Sequence, residues 1–167
     1  PTQGPCRLEV AGVLPAVYPG LRFHREVLNG LQDLIEWGQE AKGGASLAAK
    51  PEGWLMVLGC CAMGLSSQER WNLARQLRLS REERAPLIDS GVPWCQATSL
   101  LLGASSQPPN SMVERALREI DRGALLVGAA IAGVDSAEAE MVRIYLDQLH
   151  DVAAELDGLE LKKLGVP

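Results

Sequence analysis

The chain has 167 residues, of which 47% are hydrophobic and 22% are charged. Those proportions are typical of a single globular domain with a sizeable core, and they exclude an intrinsically disordered chain. The formal net charge of −5 argues against a domain that binds nucleic acid through bulk positive charge, but it leaves room for a local basic face. The longest apolar runs, Trp54–Met63 and Ala124–Ala132, are about half as long as a membrane-spanning helix. We therefore expect no contact with a membrane.

The cysteines indicate a reducing compartment. No two of the four form a Cys-x-x-Cys pair, and Cys60 and Cys61 lie inside an apolar run, where cysteine behaves as a small buried hydrophobe. A chain of this size does not need disulfides to stabilise its core. We predict reduced thiols and a cytoplasmic location.

Apolar residues recur at helical spacing along most of the chain, beginning with Val27, Leu28, Leu31, Leu34 and Ile35. No segment has the alternating pattern of a strand, and Tyr, Phe and Thr are scarce. We predict an all-α fold, a bundle of about seven to eight short helices in one domain. The predicted helices span His24–Ala41, Pro51–Met63, Gln68–Leu79, Arg81–Ser90, Trp94–Leu102, Met112–Ile120, Ala124–Ala132 and Ala137–Leu156.

Several of these helices begin with a capping-box pattern, in which a cap side chain and the residue three positions later satisfy each other's backbone N–H groups. The matches are Ser66-x-x-Glu69, Ser80-x-x-Glu83, Ser111-x-x-Glu114 and the variant Asp135-x-x-Glu138. Glycines at 43, 44, 91 and 158 are predicted to end helices, and Pro86 to kink one.

Residue types that catalysis or metal binding requires are scarce. The two histidines, His24 and His150, lie in no His-Glu-x-x-His or similar spacing. The stretch 43–46 (GGAS) lacks the Gly-Lys-Ser/Thr of a phosphate-binding loop, so we interpret it as a linker. We interpret the close acidic pairs as solvated helix faces; they are Asp147/Asp151 and Glu138/Glu140. The sequence therefore predicts no catalytic residue and no metal site.

Positive charge gathers in two places. Arg75, Arg78, Arg81 and Arg84, which we call the first arginine set, bracket the turn between two predicted helices, and Arg70 precedes them. The second arginine set recurs at helical spacing on a later helix and comprises Arg115, Arg118 and Arg122. Arginine suits phosphate because its planar fork matches phosphate oxygens. Each set is therefore a candidate phosphate-contacting surface.

Nearby glutamates offer an alternative for both arginine sets. If the arginines pair with them, each set is an ordinary solvated helix face. The glutamates concerned are Glu69, Glu82, Glu83, Glu114 and Glu119. The sequence leaves both interpretations open.

Three stretches together resemble one protein family. Residues 10–21 (VAGVLPAVYPGL) resemble the segment leading into the helical body of bacterial CCA-adding tRNA nucleotidyltransferases and poly(A) polymerases. Residues 73–84 (LARQLRLSREER) look like a phrase of that body, and residues 157–167 (DGLELKKLGVP) resemble the phrase that opens the family's tail. The resemblance follows the family's order and covers most of the chain.

The motifs that carry catalysis in that family are missing. Its catalytic head contains Gly-Gly-x-x-Arg-Asp and a metal-binding Asp-x-Asp; residues 43–44 are not followed by Arg-Asp, and no Asp-x-Asp occurs. The basic helix that should follow Pro167 is missing too, so we expect both ends to be cut. The resemblance thus implies a fragment in which residues 1–157 form the helical body and residues 158–167 the start of a truncated tail.

Resemblance to such a body implies a role in positioning RNA, at the tRNA 3′ region, through its backbone and shape. Mg²⁺ and a nucleoside triphosphate would belong to the missing head, leaving this fragment without a cofactor. The alternative is a helical scaffold that binds protein through an apolar groove; a free-standing enzyme is disfavoured because catalytic residues are missing. The salt dependence of binding distinguishes RNA positioning from the protein-binding scaffold, since phosphate binding weakens steeply as the salt concentration rises.

Overall fold

The structure, a computed structural model, describes residues 12–41, 53–105 and 108–149. Every regular element in these ranges is a helix, which confirms the predicted all-α fold. The described ranges contain α1 (Val13–Val17), α2 (Arg25–Ala41), α3 (Gly53–Cys61), α4 (Ser67–Gln76), α5 (Ala85–Asp89), α6 (Val92–Ala104), α7 (Asn110–Leu117), α8 (Arg122–Ala132) and α9 (Ala137–Ile144). A π-helical turn, Tyr145–Leu149, directly follows α9.

Each of the eight predicted segments contains a helix, and α1 is additional. The helix predicted over residues 81–90 is shorter than expected, because residues 81–84 form turns and Pro86 lies in the first turn of α5 instead of kinking a longer helix. The last predicted helix changes to a π-helical turn at Tyr145. Several predictions lie outside the described residues: the linker at 43–46, Pro51, the chain beyond residue 149 and the tail at 158–167.

Helix α8 is the centre of the bundle. All seven residues from Ala124 to Ala130 are buried, and α8 packs against α2, α3, α5, α6 and α9. Its small residues allow close approach: a Cβ added at Gly128 would lie 2.4 Å from the nearest ring atom of Trp94. The helix begins where the Asp121 carboxylate accepts a hydrogen bond from the Ala124 N–H, at 3.1 Å.

A second, smaller apolar cluster lies where α3, α4 and α5 meet. Its buried members are Leu21, Cys61, Ala62, Leu65, Leu73, Ala74 and Leu87. Helix α1 has no fully buried residue, but its partly buried Leu14 and Val17 pack on this cluster together with Tyr18. The Gln76 side chain donates a 2.9 Å hydrogen bond to the Val17 carbonyl. This cluster holds α4 and α5 side by side and so positions the segment between them.

The cysteines at the end of α3 are buried, as predicted from their apolar surroundings. Burial, reinforced by Cys61 and opposed by Arg70, raises the pKa of Cys60 to about 12, so this thiol stays protonated. Cys95 on α6 is exposed, and none of these three described cysteines is in a disulfide.

The capping-box predictions have mixed outcomes. The Ser66/Glu69 box forms completely at the start of α4. The reciprocal Ser80/Glu83 hydrogen bonds also form, but they close the turn at 81–84 and not the first turn of a helix.

The other two capping predictions are wrong. Helix α7 starts two residues earlier than predicted, at Asn110, because the extended backbone of Pro109 occupies the cap position; Ser111 therefore lies within the helix. At α9 the cap is Ser136, whose hydroxyl accepts a 3.1 Å hydrogen bond from the Ala139 N–H. The turn closed by the Ser136 N–H and the Gly133 carbonyl places Asp135 before the helix.

Candidate functional site

The first arginine set begins in the last turn of α4 with Arg75 and continues along the connection to α5. This connection begins with a Schellman-type helix end. The Leu79 N–H donates to the Ala74 carbonyl and the Arg78 N–H to the Arg75 carbonyl, both at 3.0 Å. Arg78 occupies the left-handed position of this motif with φ of 55°, where glycine is usual because other residues are strained there. The chain therefore reverses at Arg78 and continues into the turn at 81–84.

The four side chains of this set lie at the surface. Arg75, Arg78 and Arg81 are exposed, and Arg84 is half-buried. Arg75 donates a hydrogen bond to the side-chain oxygen of Asn72 one turn earlier in α4. The Arg84 guanidinium lies over the indole ring of Trp71, 4.5 Å from the ring centroid, a cation–π contact that joins the connection to α4.

Two of the three glutamates near this set, Glu69 and Glu83, are held by serines, whereas Glu82 is exposed and its carboxylate accepts no hydrogen bond from a described donor. The Glu69 carboxylate accepts hydrogen bonds from the Ser66 N–H and hydroxyl at 2.8 and 2.6 Å, and the Glu83 carboxylate accepts from the Ser80 N–H at 2.8 Å. Hydrogen bonds from Ser66, chiefly the one from its side chain, lower the pKa of Glu69. Hydrogen bonds from Ser80, chiefly the one from its backbone N–H, lower the pKa of Glu83. Within the described part of the chain, no arginine of the first set forms an ion pair.

The second arginine set is divided. Arg118 pairs with Glu119 at 3.1 Å and with Glu114 at 3.9 Å, as the solvated-face interpretation predicted. Arg115 is exposed on α7, whereas Arg122 opens α8 and its Nε is buried without a hydrogen-bond partner among the described residues. These three arginines therefore differ in partner and exposure, and they offer a weaker basic surface than the first set.

Arg70 is part of the core and not of the basic surface. Only 4% of it is exposed; its Nη1 donates to the Leu87 carbonyl at 2.8 Å and to the Ser90 hydroxyl at 3.0 Å, and its Nε to the Leu65 carbonyl at 3.2 Å. Burial lowers the pKa of Arg70. The guanidinium satisfies the Leu87 carbonyl of α5 and thereby joins α4 to α5.

The described ranges contain no candidate metal site. There, no group of three or more His, Cys, Asp or Glu side chains is placed to hold a metal ion. His24 lies just before α2 and Asp147 in the π-helical turn, while His150 and Asp151 lie outside the described residues.

A cavity of about 500 Å³ opens between the start of α4 and α6. Its lining mixes apolar residues such as Met63 and Val92 with Arg70, Cys95 and Glu138. Most of this lining is apolar, as the scaffold alternative predicts, and the charged groups interrupt it. Leu100 and Leu102 on α6 are exposed but do not line the cavity.

Sequence reasoning missed Trp71. The residue is 39% exposed and lies four positions before Arg75, so the two share a face of α4. That spacing is visible in the sequence, but the contact with Arg84, thirteen positions away, depends on the turn that follows α4.

Comparison with known proteins gives no relative: no family model, no curated protein and no solved structure matches the chain. Among the described residues, no helix combines the length and apolar character needed to cross a membrane.

Proposed function

We propose that this chain is a non-catalytic, RNA-positioning part of a tRNA nucleotidyltransferase or poly(A) polymerase, and that the first arginine set contacts RNA phosphates. The observation that supports this most directly is the exposure of Arg75, Arg78 and Arg81 without an ion pair to any described residue. A guanidinium that is not engaged by a carboxylate keeps its donors available for phosphate oxygens.

The backbone at Arg78 gives a second reason. A non-glycine residue in the left-handed region costs about 1–2 kcal/mol, and strain of this kind persists where the side chain has another use. Glycine would relieve the strain at this helix end but would remove a positive charge. An arginine at φ of 55° is therefore consistent with a side chain retained for binding.

The acidic net charge of −5 fits a local contact surface and not a broad electrostatic one. Glu69 and Glu83 remain ionised, but their carboxylates accept hydrogen bonds from Ser66 and Ser80. Both carboxylates are thus engaged by donors of Ser66 and Ser80 and not by an arginine, while the arginines remain at the surface. Binding through a few phosphate contacts should be weak in this chain alone and strengthened by the rest of the parent enzyme.

The test compares two triple variants of the 167-residue chain that remove the same charge. The first carries Arg75→Ala, Arg78→Ala and Arg81→Ala, and the second Arg115→Ala, Arg118→Ala and Arg122→Ala. Binding of a fluorescent RNA hairpin is measured by anisotropy over a series of salt concentrations. We expect the first variant to bind more weakly, with the slope of log affinity against log salt smaller by about one for each phosphate that the variant no longer neutralises.

The matched second variant controls for net charge. We expect it to retain more affinity than the first, since Arg118 is already paired with glutamates. Equal losses in the two variants would indicate a nonspecific charge effect and contradict the assignment of the first set. Unchanged affinity in both triple variants would contradict RNA contact by either set and leave the protein-binding scaffold as the better interpretation.

A further inference from the structure

An exposed tryptophan lies next to two members of the first arginine set, under Arg84 and one helical turn before Arg75. Trp71 keeps 39% of its surface accessible even though the Arg84 guanidinium lies over its ring at 4.5 Å from the centroid. A ring of this size contributes most to stability when buried. A partly exposed indole beside several arginines is a combination that single-stranded nucleic-acid sites use repeatedly.

Local contacts hold this indole in a fixed environment. Arg84 stacks on the ring from the turn at 81–84, where its own N–H donates to the Ser80 carbonyl at 3.1 Å. Arg75, four residues along α4, is oriented by its hydrogen bond to Asn72. The ring, a planar guanidinium and a phosphate-contacting candidate therefore share one face of the α4–α5 connection.

We propose that Trp71, held by Arg84, is a stacking platform for one unpaired base of the bound RNA. This inference rests on the proposed function, because it adds a base contact to the phosphate contacts of the first arginine set. Every base has a π-face, so such a platform tolerates any sequence. In a duplex, neighbouring pairs cover those faces; the platform therefore fits a single-stranded extension or loop and not a blunt stem.

The experiment uses two RNA hairpins with the same stem, one blunt and one with an unpaired 3′ extension. Both are titrated with the 167-residue chain and with its Trp71→Ala and Trp71→Phe variants. We expect Trp71→Ala to weaken binding of the extended hairpin by about 5- to 150-fold, the range for losing one stacked base. Binding of the blunt hairpin should change by less than about twofold, and Trp71→Phe should restore most of the affinity for the extended hairpin.

Trp54→Ala is the matched control. Trp54 is more exposed than Trp71, at 51%, and within the described ranges no cation lies over its ring. We expect this variant to bind both hairpins as the unmodified chain does. Far-UV circular dichroism verifies that each variant is folded.

The outcomes separate the two proposals. If the unmodified chain binds neither hairpin, the proposed function and the platform both fail. If it binds both hairpins and Trp71→Ala weakens them equally, Trp71 acts only by holding Arg84, and the platform alone is wrong. Unchanged binding of the extended hairpin by Trp71→Ala would likewise overturn the platform and leave the phosphate contacts intact.

Discussion

Helix α8 and the α4–α5 connection are held in place by different forces. Residues 124–130 of α8 are buried without exception, and their neighbours are mostly apolar side chains. The connection packs Leu77 and Leu79 against the second apolar cluster, and polar contacts add to this packing. These contacts are the Arg70 guanidinium, the Ser80/Glu83 box and the Arg84–Trp71 stack, with the Ser66/Glu69 box at the start of α4. Apolar packing thus sets where the helices lie, whereas directional contacts shape the surface that presents the arginines.

The largest effect should come from removing the polar contacts of Arg70. In Arg70→Met the side chain keeps much of its volume but loses its hydrogen bonds to Leu65, Leu87 and Ser90. With about 1 kcal/mol for each of these hydrogen bonds, the unfolding free energy should fall by about 3 kcal/mol. Urea unfolding followed by circular dichroism measures this. A change below about 1 kcal/mol would mean that apolar packing alone joins α4 to α5.

A smaller loss of unfolding free energy is expected when a methyl group is added to the tightly packed core around α8. A Cβ at Gly128 would meet three ring atoms of Trp94 at 2.4–2.8 Å, so Gly128→Ala should lower the unfolding free energy by about 2 kcal/mol despite alanine's better helix propensity. The control is Gly103→Ala on α6, where nothing lies within 4 Å of the added Cβ. That variant should be more stable by up to about 1 kcal/mol, and losses of equal size in both would contradict close packing at Gly128.

At Arg78 we expect stability and binding to change in opposite directions. Arg78→Gly relieves the strained φ of 55° at some entropic cost, so the unfolding free energy should stay the same or rise by up to about 1 kcal/mol. RNA affinity should nevertheless fall, and the salt slope should decrease by about one.

Arg81→Gly is the control for that variant, because Arg81 is not among the described non-glycine residues with positive φ. It removes the same charge without relieving strain, so stability should stay the same or fall. If Arg78→Gly proved the less stable of the two variants, the backbone at Arg78 would not be strained.

The smallest expected effect is on the stability of the chain at acidic pH. The pKa of the Glu69 carboxyl is lowered by hydrogen bonds from Ser66, so its contribution to stability is present above the unfolded-state pKa and is lost as the pH falls through the folded-state pKa. Glu69→Gln keeps an acceptor that cannot titrate. The variant should therefore lose less stability than the unmodified chain from about pH 4 downward, as thermal unfolding at successive pH values would reveal.

Glu82→Gln is the control for this experiment, since the Glu82 carboxylate accepts no hydrogen bond from a described donor, in contrast to that of its neighbour Glu83. Its acid response should match that of the unmodified chain. An equally steep acid loss in Glu69→Gln would exclude a contribution from the Ser66/Glu69 box.

The sequence predicted those features of the fold that depend on local pattern. Apolar periodicity located the helices, and the Ser66/Glu69 box marked the start of α4 correctly. The boxes at Ser111 and Asp135 were wrong because a cap position also depends on the preceding backbone, here Pro109 and the turn from Gly133. Helix α1 has only five residues and contains a proline, so it is too short for a periodic pattern to predict it.

The candidate surface was harder to predict because exposure is a tertiary property. In the sequence Arg70 and Arg75 look alike, but only Arg70 reaches Leu87 and Ser90, seventeen and twenty residues along the chain. The Trp71–Arg84 contact likewise depends on the turn between them. The sequence predicted that the first arginine set brackets a turn between two helices. It did not predict that these arginines form no ion pair with a described residue.

The central position of α8 also bears on the order in which the chain folds. Helices α2, α3, α5 and α6 all precede residue 122, yet each packs against α8. During synthesis these four helices emerge before the partner that covers them, so their apolar faces stay exposed until α8 arrives. A chain truncated before Arg122 should keep helical segments but lack a closed core, and it should aggregate or fold only when residues 122–132 are supplied as a separate peptide.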